Sequence, residues 1–96
     1  MTIYPIGYKD PRELAKQARA EQVERIQVTT QAGNNFDGDE ISQTRMARAI
    51  IALQATGTPT VNWVLADNST IQATVAELSE ALALAGSAQA ALWVLP

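Results

Sequence analysis

The chain reads as a small α+β domain: one leading helix followed by two ββα units, in the order helix, hairpin, helix, hairpin, helix. Three observations predict this. Two stretches alternate apolar and polar residues around turn-forming clusters, IQVTTQAGNNF and VNWVLADNSTI. Each is followed by a capping residue and an apolar pattern of helical period. A shift of 35 residues sets Ile26 on Val61, Val28 on Trp63, Phe36 on Ile71 and Asp39 on Thr74. With 96 residues the chain is one domain with one modest core.

Taken in order, residues 1–9 read as an extended arm, and 10–96 form the domain, with units at about 26–55 and 61–95. Asp10 is a good N-cap, Pro11 suits the first helical position and Glu13 stands where a capping-box carboxylate belongs. This first helix runs to about Glu24, with Leu14 and Ala18 expected inside. Ile26 and Val28 then alternate, Gly33-Asn34-Asn35 turns and Phe36 opens a return strand. Asp37 or Asp39 caps the second helix, whose inward positions are Met46, Ala49, Ile50 and Leu53. Ala55-Thr56-Gly57-Thr58-Pro59 ends it. Val61, Trp63 and Leu65 alternate, Asp67-Asn68-Ser69 turns, and Thr74-Val75-Ala76-Glu77 is a capping box opening the third helix.

Composition narrows the chemistry. There is no Cys, hence no disulfide frame or thiolate site, and no His, the commonest general base and zinc ligand. A net charge of −3 argues against nucleic acid. The N-terminal residues lack a signal-peptide core, and no stretch is apolar enough for a membrane span.

Asp37-Gly38-Asp39-Glu40 is the densest chemical cluster. Asn35, Asp37 and Asp39 alternate as in a calcium loop, but the glycine is misplaced and Met46 stands where the closing acid belongs. Carboxylates at a helix start cap and complement its dipole, so neither metal nor cofactor is expected. A carboxylate pair without His or Cys is a poor acid–base centre, and Ser42 and Thr44 have no base placed for them, so no enzyme is expected. Arg45 and Arg48 make a small basic edge, expected to pair with acids such as Glu40 or Glu24. Trp63, in mid-strand, is expected in the core.

The sharpest feature is the end of the chain. All seven basic residues lie between Lys9 and Arg48, and nothing after Glu80 is charged. Two apolar stripes run along the third helix: Val75, Leu78, Leu82, Ala85 and Leu92, and Ala81, Leu84, Ala88, Ala91 and Leu95 with Trp93 beside them. A helix apolar on most of its circumference needs more cover than two hairpins and two helices give. This predicts a homo-oligomer, with a trimer as one option, held through Leu84, Ala88, Ala91, Trp93 and Leu95. Tyr4, Ile6 and Tyr8 of the arm are the expected docking contacts for another protein.

In Phe36-Asp37, Asp39-Glu40-Ile41-Ser42-Gln43, Arg45-Met46, the Trp63–Ser69 hairpin and the helix start Thr74–Leu78, the sequence resembles a small domain-of-unknown-function family. That family is found in tailed-bacteriophage tail-fibre and tail-fibre-assembly proteins. The resemblance spans roughly residues 12–86 and implies the same helix–hairpin–helix–hairpin–helix order and no enzymatic residues. It implies a structural component of a phage tail (fibre, baseplate or tip), made in the host bacterial cytoplasm and located in the virion, with other tail proteins as partners. The alternative it implies is a tail-fibre assembly chaperone absent from the virion.

Overall fold

The computed structural model describes residues 10–93. Three helices and four strands follow in the expected order: α1 (Pro11–Glu24), β1 (Gln27–Thr29), β2 (Asn35–Asp37), α2 (Glu40–Thr56), β3 (Thr60–Val64), β4 (Thr70–Thr74) and α3 (Val75–Trp93). The strands form two antiparallel hairpins, β1–β2 and β3–β4. A backbone bond from the Ala66 N–H to the Asn35 carbonyl (3.0 Å) ties one hairpin to the other.

The repeat is one of register as well as order. A shift of 35 residues carries Gln27↔Asp37, Val28↔Phe36 and Thr29↔Asn35 onto Asn62↔Gln72, Trp63↔Ile71 and Val64↔Thr70. The turns match bond for bond. Thr30 N–H donates to Asn34 O and Gly33 N–H to Thr30 O; Leu65 N–H donates to Ser69 O and Asn68 N–H to Leu65 O. Gly33 (φ 88°) and Asn68 (φ 68°) occupy the same left-handed position, which glycine takes freely and asparagine tolerates.

α3 is the central element, packed against α1, α2, β1 and β4. The core comprises Val28, Phe36, Met46, Leu53, Leu65, Ala73, Leu78, Ala81 and Ala85, with Ile26, Ala49, Ile50, Val61, Trp63, Ile71, Val75 and Leu82 packed against it. The expected inward face of α2 is therefore present. The expected inward face of α1 is not. Leu14 is 50% exposed and Ala18 is exposed; Val23 is the buried residue of this helix, with Ala15 and Arg19 half-buried. The covered face of α1 is the stripe Ala15–Arg19–Val23 at four-residue spacing, and α1 packs against α3.

The caps also depart from the simple motifs. Asp10 accepts the Arg12 N–H at 2.8 Å, as an N-cap should. Asp39 is the N-cap of α2 but makes no side-chain bond to the helix backbone; its carboxylate accepts the Ser42 hydroxyl. At α3, Thr74 Oγ1 accepts the Glu77 N–H (3.1 Å), which is half of a capping box. The Glu77 carboxylate turns away, accepting Thr30 Oγ1–H at 2.9 Å and Asn34 Nδ2–H at 2.8 Å. Glu80 accepts the Gln31 N–H at 2.8 Å. Two acids of α3 thus strap down the first hairpin's turn.

Candidate functional site

The acidic cluster sits where β2 hands over to α2. Gly38 is buried between Asp37 and Asp39 for a packing reason: a Cβ there would stand 2.7 Å from Ile26 Cγ2 and 3.0 Å from Ala85 Cβ. The acids diverge from this pivot. Asp37 is exposed at the strand end, Asp39 engages Ser42, and Glu40 accepts the Gln89 amide at 2.6 Å. Gln43 donates to both Gln89 Oε1 (2.8 Å) and Gly38 O (2.9 Å). This polar clasp joins the start of α2 to the end of α3, so the two helices run antiparallel. Among the described residues no three acids gather into a metal-holding group.

Arg45 and Arg48 are exposed and form no ion pair with Glu40, Glu24 or any other described residue. Arg45 and Arg48 follow Glu40 by five and eight positions, off the three- and four-residue spacings at which neighbouring side chains on a helix meet. Trp63 is half-buried, one side against the core.

The uncharged end of α3 is where large apolar surface meets solvent. Leu78, Ala81 and Ala85 are fully buried, but Leu84 is 39% and Trp93 57% exposed. Ala88 is half-buried and Ala91 exposed. Helical geometry separates these residues into two surfaces. Leu84, Ala88 and Ala91 follow one another at spacings that keep to one flank. Trp93 stands nine positions after Leu84, two and a half turns on, and so faces the opposite side. Leu84, Ala88 and Ala91 thus lie on one face of α3 and Trp93 on the other. Leu95, Tyr4, Ile6 and Tyr8 lie outside the described residues.

Trp93 opens onto a groove of about 840 Å³ between α1, the β2–α2 junction and the end of α3. Its floor includes Ala20, Val23 and Ile41, the last 63% exposed. Lys16 and Arg19 stand on one wall and Asp37, Asp39 and Glu40 on the other. The Arg19 guanidinium lies 5.7 Å from the Trp93 ring centroid, a cation–π contact that fixes the indole at the groove's edge. Sequence reasoning found Trp93 but missed Ile41 and Arg19. Ile41, adjacent to Glu40 in an amphipathic turn, carries no mark of being the outward one.

No described helix is long and apolar enough to cross a membrane. No curated protein and no solved structure matches the chain. One family profile does, described as a domain of unknown function, DUF4376, over residues 10–92. That match covers all three helices and both hairpins, and the chain belongs to this family.

Proposed function

We propose that this protein is a non-enzymatic structural component of a bacteriophage tail, at the fibre, baseplate or tip. It acts by self-association and by docking onto a neighbouring tail protein. The tail setting rests on the resemblance of the Phe36–Met46 and Trp63–Leu78 motifs to the tail-fibre domain family. The mode of action rests on one observation: the end of α3 is uncharged and leaves apolar side chains exposed on two flanks, Leu84 to Ala91 on one and Trp93 on the other. Contiguous apolar surface of this kind marks contact sites. The small Ala88 and Ala91 allow close helix approach, and the Trp93 groove receives the second neighbour.

Light scattering on the purified chain tests self-association, with Ala91→Glu as the probe because Ala91 is exposed and its replacement leaves the core intact. The expected result is an oligomer for the parent and a monomer for the variant, with a melt that depends on concentration in the parent and not in the variant. A monomeric parent, or an unchanged mass for the variant, overturns this contact. Peptide mass spectrometry on purified particles tests the tail assignment. Fixed stoichiometry against a known tail protein is expected. Absence from particles, with abundance in the infected lysate, replaces it with the assembly-chaperone reading.

A further inference from the structure

The groove beside Trp93 leaves apolar surface uncovered and has bonding capacity to spare. Ile41 is 63% and Trp93 57% exposed along it. On its walls Lys16, Glu24 and Asp37 make no hydrogen bond or ion pair through their side chains with any other described residue. Such a groove suits an extended peptide. The side chains of an extended peptide find an apolar floor, and its backbone N–H and C=O groups, unlike those of a helix, still need partners. Lys16 supplies donors, and Glu24 and Asp37 supply acceptors.

One such segment is tied to the groove wall. Residues 1–9 lie outside the described residues and join α1 at Asp10, and α1 forms that wall through the stripe Lys16, Arg19, Ala20, Val23 and Glu24. We propose that in the unassembled chain the groove is filled by the chain's own segment Thr2–Tyr8, folded back along α1. The lengths agree. From Asp10 to Val23 the helix rises about 20 Å. Fully extended, Thr2–Tyr8 spans about 23 Å, which leaves Lys9 for the reversal. The phase agrees as well. Tyr4, Ile6 and Tyr8 fall on one face of an extended segment, and Pro5, on the other, favours that backbone and brings no N–H to satisfy. Lys9 is the one charge in residues 1–9, and it is positive, whereas the groove is lined by four acids and two bases. Tethering selects this occupant over a free one, because a short tether holds the segment at an effective concentration on the order of millimolar. The inference rests on the reading of the groove as a docking site and adds its regulation: the segment and the groove cover each other until a neighbour displaces the segment.

The chain has no Cys, so Ile3→Cys places a single nitroxide on the face of the segment opposite Tyr4 and Ile6. NMR of the full chain then reads how near the nitroxide comes to the groove. In one sample the nitroxide and ¹⁵N are on the same molecules, diluted in unlabelled chain. In the other, ¹⁵N chain without nitroxide is mixed with nitroxide-bearing ¹⁴N chain. The expected result is that, in the first sample alone, the Trp93 indole N–H and the amides of Ala20, Val23 and Ile41 lose most of their intensity and recover when the nitroxide is reduced. Tyr4→Ser with Ile6→Ser should abolish that loss. So should Ile41→Ser, which touches an exposed side chain and should leave the remaining spectrum in place. Loss in the second sample alone gives the groove to the segment of a neighbouring copy; it overturns occupancy by the chain's own segment and leaves the docking reading standing. No loss in either sample, or loss that all these variants leave unaltered, overturns the proposal outright.

Discussion

At the residue scale, Gly38 is the least replaceable position outside the aromatic and aliphatic core. A methyl group there meets the Ile26 side chain and the Ala85 of α3 at once, and the Ala85 Cβ cannot move without its helix. Gly38→Ala should cost about 1–3 kcal/mol, read as a lower urea midpoint at unchanged slope. Its counterpart after the 35-residue shift, Ala73, is itself fully buried with a methyl in place, so the demand for glycine belongs to the first unit alone. Asp67 gives a pH signature. The Ser69 hydroxyl (2.5 Å) and then the Ser69 N–H (2.9 Å) hold its carboxyl below the usual aspartate value. A group depressed in the folded state contributes stability above its unfolded value and loses it as pH falls through the folded value. A carboxyl-carbon NMR titration should show the low midpoint, and Ser69→Ala should raise it towards the ordinary range.

At the element scale, the two hairpin turns share geometry but not sequence, TQAGN against LADNS. Gly33→Ala should destabilise by about 1–2 kcal/mol, since a Cβ is strained at that φ although nothing crowds it. Asn68→Gly should be close to neutral; parallel thermal melts of both variants check the pair. Glu77→Ala should cost about 1–3 kcal/mol by releasing Thr30 and Asn34, with Thr30 only 4% exposed, and amide exchange should rise in the turn at residues 30–34. Element order and type were legible because the periodicities, the Asp10-Pro11 start and the Gly57 stop are local signals. Whatever depended on a distant partner was not. Glu77 reads as a capping-box acid until the first hairpin's turn comes within its reach. Leu14 reads as core until the covered face of α1 is seen to run through Ala15, Arg19 and Val23. Ile50 reads as inward from its spacing with Met46 and Leu53 and does pack on the core, whereas the exposure of Ile41 at the groove depends on where α1 and the end of α3 lie.

For the whole molecule, α3 is the element on which everything else leans. Leu78→Ala removes a fully buried side chain at the meeting of the helix with the rest of the core and should cost about 2–5 kcal/mol in urea unfolding. The exposed end of the same helix has the opposite character. Substitutions at Ala91 or Trp93 should change the behaviour of the chain towards neighbours while leaving the melt of the dilute, unassociated chain close to the parent's. The separation is legible in the charge distribution, because the sequence stops carrying charge where α3 leaves the cover of the first hairpin's turn.

The matched turns have a kinetic consequence. Each hairpin closes over a handful of residues, so either can form early and on its own, while the union of α2 with α3 must wait for the second hairpin to bring them together. Refolding rates should therefore respond to changes in the turns, at Gly33 and Asn68. The clasp at Gln43 and Gln89 should govern how quickly the native state opens. Two hairpins with matching turn bonds in one chain also offer two ways to begin, and weakening one turn should divert folding traffic to the other.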